Sequence, residues 1–323
     1  MPTTRPTIIF AEIPGRKSLG SAAAIMVAAN GWNMICVSGV SQARESLNSV
    51  KNIKAIVTNE PSQELFDAAR KSSDQIITIL VTDMPIQQYC AALGDNDLLL
   101  LDHVVANFDS DWAASDLAIT LQKIIRKDLF GIEKYLSPGT TIQTRTIKGS
   151  SARDPTNKEV QEWAESCGLG KNIARLAYGI SEELLMNAIY DAPVAGGRTH
   201  YEAMDRHAPR ELAPEDWPTL RFGVDDRLFA ISITDPFGAF LRERWFTYLR
   251  KALKRNDSES LIDTKKGGAG LGLFKMLYSS HGVVCNVNPG KTTEVIILIS
   301  FQHPIRDFIH TPRSIHYFNA SSH

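Results

Sequence analysis

The sequence is poor in the features that mark secreted, metal-binding and membrane-spanning proteins. It has only four cysteines, Cys36, Cys90, Cys167 and Cys285, and they form neither a CxxC pair nor a zinc-ligand spacing. Widely separated cysteines are typical of reduced thiols in a cytosolic protein. The N-terminal residues lack the long apolar segment of a signal peptide, and no run reaches the roughly 18 apolar residues that a membrane helix needs. We therefore expect a cytoplasmic protein with no membrane segment.

The chain also lacks an excess of either charge. Its 323 residues carry a formal net charge of −1, so no overall field would attract nucleic acid or an anionic membrane. A chain of this length is too long for one typical hydrophobic core and indicates two domains. We expect no nucleic-acid partner.

Residues 1–126 alternate between strand-like and helix-like patterns. Short apolar runs bounded by turn residues, such as "TIIFAEI" (7–13) and "QIITILVTD" (75–83), are each followed by a helical segment. This alternation is typical of a parallel sheet covered by helices on both faces. Five such repeats predict an α/β, doubly wound, five-stranded domain.

The rest of the chain is organised differently. Residues 127–157 are polar and rich in turn-forming residues, which predicts a linker. Residues 158–302 mix helices and strands without strict alternation and predict a second domain of the α+β class. The C-terminal segment, 303–323, contains four histidines, for which a loosely packed tail is favoured over a metal site: His303, His310, His316 and His323.

One helix of the second domain has a polar stripe. In "ISEELLMNAIYDAP" (180–193) most side chains are apolar, but Glu183, Asn187 and Asp191 are spaced at i, i+4 and i+8 and share one face. A carboxylate and a carboxamide aligned in this way could supply oxygen ligands to a hydrated Mg²⁺. The alternative is that the stripe faces water or bonds a neighbouring loop.

Three further segments of this domain combine polar or glycine residues with apolar runs. "LFAISITDPFGAF" (228–240) is a strand ending at Asp235, whose carboxylate could accept a hydrogen bond from a ligand amine or cap a plain turn. "TKKGGAGLGLFKML" (264–277) lacks the glycine spacing of Walker and dinucleotide-binding loops, but its N–H groups could bind phosphate oxygens at a helix start. The alternative there is a tight turn ahead of a buried helix. "NPGKTTEVIILIS" (288–300) is a turn leading into a buried strand.

Taken together and in this order, the four segments resemble the GHKL family of ATP-binding domains, which includes histidine kinases, anti-sigma serine kinases, gyrase and heat-shock protein 90. "EELLMNA" is similar to the N-box, "ITDPFG" to the G1 box, "KKGGAGLGL" to the G2 box and "GKTTEVIIL" to the last, threonine-bearing strand. The resemblance covers residues 158–302 and implies a Bergerat-type α+β sandwich that binds ATP and Mg²⁺.

The resemblance also implies roles for individual residues. Asn187 would hold Mg²⁺ against the phosphates, and Glu183, as the catalytic residue, would orient or deprotonate a nucleophile. Asp235 would bind the adenine amino group with support from Thr293, and residues 239–266 would form the ATP lid. The glycines of the G1 and G2 boxes and the leucine between two of them would complete the nucleotide site: Gly238, Gly268, Gly270, Leu271 and Gly272.

The sequence departs from the family pattern in two places. Phe237 lies where the G1 box has its first glycine, and residues 192–218 are longer than compact relatives require. The helices ahead of the N-box contain no histidine, so autophosphorylation on histidine is not expected. The layout is closest to the anti-sigma serine kinases, which implies a regulatory protein partner, either sigma-factor-like or anti-sigma-antagonist-like. Relatives often dimerise, and a homodimer is left open.

The first domain resembles the receiver domain of response regulators. A working receiver needs acidic residues after strand 1, an Asp acceptor after strand 3, a Thr or Ser after strand 4 and a Lys after strand 5. Here Glu12 is the only acid after strand 1, Thr58 or Asn59 stands at the acceptor position, and no lysine follows strand 5, although Thr82 fits. The pattern indicates a degenerate receiver that contacts proteins.

Three hypotheses follow for the function. The first is an ATP-dependent signalling enzyme that transfers phosphate to Ser or Thr of a partner protein or hydrolyses ATP slowly, for which Glu183, Asn187 and the glycine-rich lid would suffice. The second is an inactive ATP-sensing pseudokinase or scaffold that regulates a partner through ordering of the lid. In the third, the glycines are structural and no nucleotide binds. The first is favoured because Glu183 would be needless in a pure sensor.

Overall fold

The computed structural model describes residues 5–13, 27, 29–93, 97–201, 209–253, 271–304 and 311–321. By its internal contacts the chain divides into two compact units. The first comprises Met1–Asp128 with Arg306–His316 and Ser322–His323, and the second comprises Leu129–Ile305 with Tyr317–Ser321.

The first unit contains a parallel sheet, as the alternating pattern predicts. Its parallel strands are β1 (Thr7–Glu12), β2 (Asn33–Ser38), β3 (Ile53–Thr58), β4 (Ile77–Thr82) and β5 (His103–Ala106). They pair in the order β2-β1-β3-β4-β5. Every residue of β4 is buried, as expected for an apolar strand enclosed on both faces. This strand order is one of those found in doubly wound folds.

Helices connect these strands. Those described are α1 (Gly39–Ser49), α2 (Gln63–Ser72), α3 (Ile86–Leu93) and α4 (Ser110–Arg126). Polar side chains explain two of the helix starts, because Ser62 Oγ accepts from the N–H of Leu65 and Asp109 Oδ1 accepts from the N–H of Trp112. The segment after β1, "SLGSAAAIMVAAN" (18–30), has the pattern of a helix, and it lies outside the described residues except at 27, 29 and 30.

The C-terminal segment differs from the loosely packed tail that its composition predicts. Ser314–Asn319 forms a strand, β11, in which Ile315 and His316 pair antiparallel with β5 of the first unit. His316 is fully buried, with its Nε2 3.1 Å from Asp116 Oδ2 on α4, and Ser314 Oγ donates to the same oxygen. This histidine is therefore a core residue held by a carboxylate remote in the sequence. Two other histidines of the segment, His310 and His323, lie outside the described residues.

The second unit combines helices with an antiparallel sheet. Its strands are β6 (Ile142–Thr146), β7 (Thr219–Val224), β8 (Leu228–Asp235), β9 (Gly282–Asn288) and β10 (Thr292–Ser300). They pair in the order β9-β10-β8-β7-β6. Its helices are α5 (Arg153–Ser166), α6 (Lys171–Met186), α7 (Ala192–Ala195), α8 (Arg242–Leu253) and α9 (Leu271–Tyr278). A single turn of π-helix, Asn187–Asp191, joins α6 to α7, and we call it the π-turn. Helices and strands mix as expected, and the assignment to the GHKL fold stays a prediction.

Helices α5 and α6 pack against each other and against one face of this sheet. The ring of Trp163 on α5 meets Phe222 on β7 edge-on, with ring centroids 5.1 Å apart. Phe222 pairs with Ile231 on β8, and side chains two residues apart on a strand share a face. Asp235, at the end of β8, therefore lies on the face that the helices cover.

Residues 127–157 are more than the linker that their polarity predicts. Four apolar side chains near its start are buried: Leu129, Ile132, Tyr135 and Leu136. The N–H of Gly131 donates to Oε2 of the buried Glu294 on β10 (2.8 Å), on the sheet face opposite α5 and α6. The remainder supplies β6 and the first turn of α5. The sequence does not predict this burial because the apolar residues stand singly or in pairs among polar and turn-forming ones.

Candidate functional site

The positions that a receiver would use hold side chains with structural partners. Asn59, which follows β3, is buried, and its Oδ1 accepts a hydrogen bond from the N–H of Ile13 (2.8 Å). Thr82 Oγ1, at the end of β4, accepts one from the N–H of Met84 (3.0 Å). Across the described ranges no three His, Cys, Asp or Glu side chains are grouped so that they could hold a metal ion. Asn59 thus ties two strand ends together, which is a structural use of the acceptor position.

Helices α6 and α9 bring three of the predicted site residues together. A Cβ atom added to Gly272 would lie 2.9 Å from Glu183 Oε2 and 3.6 Å from Asn187 Nδ2. Glu183 and Asn187 are both partly buried. The polar stripe predicted on this helix therefore meets the end of the glycine-rich segment, and only a residue without a side chain fits there while Glu183 keeps its place.

The polar stripe does not continue to Asp191. The α-helix gives way at Asn187 to the π-turn, which has more residues per turn and rotates the following residues away from the α-helical spacing. Asp191, the last residue of the turn, is exposed. The stripe is reduced to Glu183 and Asn187. Single π-turns are frequent at functional sites.

Lys275 is a residue of this site that the sequence motifs do not identify. Its Nζ forms an ion pair with Glu183 Oε1, and the side chains are 54% and 19% exposed, respectively. Lys275 follows Gly272 by three residues on α9, so the two share the helix face that meets α6. That spacing was the signal available in the sequence. The pair engages one oxygen of Glu183, while the other faces Gly272.

A buried carboxyl group forms the other part of the candidate site. Asp235 is 8% exposed, and its Oδ1 accepts a hydrogen bond from the N–H of Phe237 (3.0 Å). Burial raises the pKa of Asp235 from 3.8 to about 7, against the opposing effect of the N–H groups of Phe237, Gly238 and Thr293. A buried carboxyl group with a strongly raised pKa at a strand end is a candidate ligand-binding group.

Thr293 lies directly opposite Asp235 on β10, so the two side chains share a sheet face. Its Oγ1 is buried and has no hydrogen-bond partner among the residues that the structure describes. Buried hydroxyl groups nearly always have a partner. A ligand with a polar edge beside Asp235 would supply one, and the adenine-binding roles of these two side chains stay predictions.

The backbone requires glycine at position 238, independently of any ligand. Its φ is +60°, and an added Cβ atom would lie 2.1 Å from the carbonyl oxygen of Asn288. Its own carbonyl accepts from the N–H of Gly290 in the turn between β9 and β10 (3.2 Å). The left-handed backbone and this close approach both require glycine. Its predicted contact with nucleotide stays a prediction.

The two departures from the family pattern contact each other. Phe237, which stands where the resemblance predicts the first glycine of a G1 box, is buried, and a Cβ atom added to Gly196 would lie 2.5 Å from its ring. The guanidinium of Arg198 lies 5.8 Å from the ring centroid and forms an ion pair with the buried Asp216 (2.7 Å). The long segment that follows α6 and the π-turn therefore covers Phe237.

Part of the predicted site lies outside the described residues. This applies to Gly268 and Gly270 and to residues 254–266 of the predicted lid. The described part of that lid is mostly α8, and α9 begins at Leu271. The two described parts of the site are carried by neighbouring elements, since α6 and the π-turn both contact β8, and α9 contacts α6. One part combines an acid, an amide and a lysine, and the other a buried acid and a hydroxyl.

Comparisons with known proteins give no family. No protein-family model and no curated protein matches the sequence. Among solved structures, the SiaB–SiaC complex from Pseudomonas aeruginosa is similar at 11% identity, covering 56% of this chain and 98% of the other, with a TM-score of 0.33. The RcsB response regulator of Salmonella typhimurium is similar at 12% identity, covering 54% and 89%, with a TM-score of 0.30. Both scores are too low to identify a fold or a function.

None of the helices in the described ranges has the length and apolar character needed to cross a membrane.

Proposed function

We propose that residues 158–302 bind Mg-ATP and that the protein is an ATP-dependent signal-transduction protein. The observation that carries the proposal is the meeting of Glu183 and Asn187 with Gly272, because an acid and an amide converge on a position where an added Cβ atom would displace the end of Glu183. The buried hydroxyl of Thr293 beside Asp235 supports the adenine end. Partly buried polar groups converging from separate elements are typical of a ligand site.

The groups of the chain have separate tasks in this proposal. The carboxamide oxygen of Asn187 would hold Mg²⁺, which supplies positive charge to the phosphates when it is bound. Glu183 would orient or deprotonate the nucleophile through the oxygen that faces Gly272. Asp235 would accept a hydrogen bond from the adenine amino group, and the hydroxyl of Thr293 would be satisfied by the base or by water.

The reaction would be phosphoryl transfer to Ser or Thr of a regulatory protein partner, or slow hydrolysis of ATP. The attacking oxygen forms a bond to the γ-phosphorus as the bond from that phosphorus to the β,γ-bridging oxygen breaks, and ADP leaves. The proton of the attacking hydroxyl or water passes to Glu183. Because catalysis of this transfer rests mainly on positioning and charge, this small set of groups is sufficient. Histidine autophosphorylation is not part of the proposal.

The ion pair between Lys275 and Glu183 favours a second function. With Oε1 engaged by Lys275, the position of the carboxylate is restrained and only its other oxygen faces Gly272. In this alternative the protein is an inactive sensor that binds Mg-ATP and presents a different surface to a regulatory partner as a result. The two functions share the binding site and differ only in turnover.

Release of labelled phosphate from γ-labelled ATP separates the two functions. The wild type is compared with Glu183→Gln and with Glu182→Gln, a matched control whose carboxylate is bound by Arg153 and Asn157. The enzyme predicts slow release that only Glu183→Gln abolishes, with ATP still bound. The sensor predicts binding without release in all three proteins. A wild type that neither binds nor hydrolyses ATP would contradict the proposal.

A further inference from the structure

A buried arginine holds the end of the N-box helix. Arg210 is 1% exposed, and its Nη1 donates to the carbonyls of Ile189 (3.1 Å) and Tyr190 (3.2 Å). Its Nη2 donates to the carbonyl of Tyr201 (3.0 Å). The guanidinium also lies 4.7 Å and 5.3 Å from the ring centroids of Tyr190 and Tyr201. A buried cation is tolerated only with such partners, and none of the predicted motifs uses this one.

The carbonyls that Arg210 binds belong to the π-turn, and the sequence explains why they need a donor. In an α-helix the carbonyl of Ile189 would accept from the N–H of the residue four positions on, which is Pro193. Proline has no N–H, and its ring crowds that same carbonyl. Opening the helix into a π-turn relieves the crowding, and the Arg210 guanidinium supplies the missing donor.

Arg210 is itself fixed from the other side. Its carbonyl accepts from the N–H of Ser150 (2.7 Å), and its N–H donates to Ser150 Oγ (2.8 Å). The N–H of Leu212 donates to the carbonyl of Lys148 (2.8 Å). We call residues 192–201 and 209–218 the strap. Its second half is anchored beside β6, and Arg210 joins it to the π-turn.

The π-turn determines where the first half of the strap runs. Beyond the turn, α7 ends at Ala195 and Gly196 lies against the ring of Phe237. The N–H of Phe237 donates to Asp235 Oδ1 (3.0 Å), so a displacement of Phe237 would change the hydrogen bonding of that carboxylate. A line of contacts therefore connects Arg210 to the carboxyl group at the adenine end of the proposed site.

We propose that Arg210, together with Pro193, is a positioning residue for recognition of the nucleotide base. The inference rests on the proposed function, since it concerns the same site. In its ionised form Asp235 favours adenine, because a carboxylate only accepts hydrogen bonds and adenine presents an amino group, whereas guanine presents a carbonyl oxygen at the corresponding position. The π-turn holds the strap on Phe237 and thereby keeps Asp235 in the position that makes this distinction.

The test combines hydrogen exchange with calorimetric titration of Mg-ATP and Mg-GTP. The variants are Arg210→Met and Arg210→Lys, with Arg221→Met as the matched control, because Arg221 pairs with Glu133 on the opposite face of the sheet. Arg210→Met leaves a buried carbonyl without a donor, so amide exchange over residues 187–198 should accelerate by about tenfold or more. Exchange in β8 and β10 should stay at the wild-type rate.

The preference for ATP over GTP, measured as the ratio of their Kd values, would not change if the role of Arg210 were merely structural. In Arg210→Met the Kd of ATP should rise by about tenfold while that of GTP changes less, so the preference for ATP falls. Arg210→Lys should keep part of the preference for ATP, and Arg221→Met should have the same preference as the wild type. An equal loss for ATP and GTP, or unchanged exchange over 187–198, would overturn the inference.

If Arg210→Met fails to fold, the double variant Pro193→Ala/Arg210→Met tests the inference in its place. Alanine at 193 supplies the N–H that Ile189 lacks, so the helix can close without the arginine. We expect this variant to fold with a reduced preference for ATP, and a wild-type preference would overturn the inference. If the wild type binds neither nucleotide, the proposed function fails, and exchange over 187–198 alone decides whether Arg210 holds the strap.

Discussion

Replacing Asp235 by asparagine should change how the stability of the protein depends on pH. Burial raises the pKa of this carboxyl group from 3.8 to about 7, so the folded state binds its proton more tightly than the unfolded state does. The stability that the group contributes is therefore complete below pH 3.8 and is lost as the pH rises through about 7. Asparagine does not titrate, so the variant lacks this loss.

The size of the effect follows from the shift in pKa. The difference between 3.8 and about 7 is about three pKa units, and each unit is worth about 1.4 kcal/mol, which gives about 4 kcal/mol. Asp235 is only 8% exposed, so solvent screening reduces this value little. Between pH 4 and pH 8 the free energy of unfolding of Asp235→Asn should rise relative to the wild type by this amount. Denaturant titrations at steps of pH measure the difference.

Asp225 provides a control whose pKa shifts in the opposite direction. Although burial acts to raise its pKa, hydrogen bonds from the N–H groups of Arg227, Ser137 and Leu228 outweigh it and lower the pKa below 3.8. The stability that Asp225 contributes is therefore fully present above pH 3.8 and is lost only as the pH falls through the lowered pKa. The difference between wild type and Asp225→Asn should therefore be level from pH 5 to pH 8. If Asp235→Asn were equally level over that range, the buried, proton-binding state of Asp235 would be refuted.

Three further substitutions separate ligand binding from stability. Gly272→Ala should weaken Mg-ATP binding by about tenfold, or about 1.4 kcal/mol. It should change the free energy of unfolding by less than about 1 kcal/mol, because only the flexible end of Glu183 must move. An unchanged affinity for Mg-ATP would place Gly272 outside the site. Gly238→Ala should lower the free energy of unfolding by at least about 2 kcal/mol, because its φ of +60° and the approach of Asn288 exclude a side chain; denaturation at wild-type concentrations would contradict this. Lys275→Met should lower the free energy of unfolding by less than about 1 kcal/mol, since the ion pair is partly exposed. It should also raise the rate of phosphate release, because Glu183 is freed from the ion pair. A lower rate would show that Lys275 assists the release of phosphate.

Local patterns in the sequence were enough to predict the elements that carry the candidate site. The apolar runs of the first unit appear as parallel strands in a doubly wound order, because burial on both faces demands continuous apolar sequence. In the second unit, i, i+4 spacing put Glu183 and Asn187 on one face of a helix, and that face meets Gly272. These features depend only on periodicity over short distances.

Features that depend on distant partners were not predictable. Nothing near Pro193 indicates that Arg210 will supply the donor that proline lacks, and nothing near His316 indicates that Asp116 will bind it. The burial of Phe237 depends in the same way on Gly196, which a separate segment supplies. In each case a polar or crowded group is satisfied by a residue that only the tertiary fold brings close. Such pairings leave no periodic signal in a single sequence.

Calorimetric titration with Mg-ATP decides whether residues 158–302 bind the nucleotide at the proposed site. Wild type is compared with Asn187→Ala at the phosphate end and Asp235→Ala at the adenine end, with Asp225→Asn at the opposite end of β8 as the control. We expect the wild type to bind Mg-ATP, both site variants to bind it more weakly, and the control to bind it as the wild type does. Absence of binding in the wild type, or binding that neither Asn187→Ala nor Asp235→Ala affects, would contradict it.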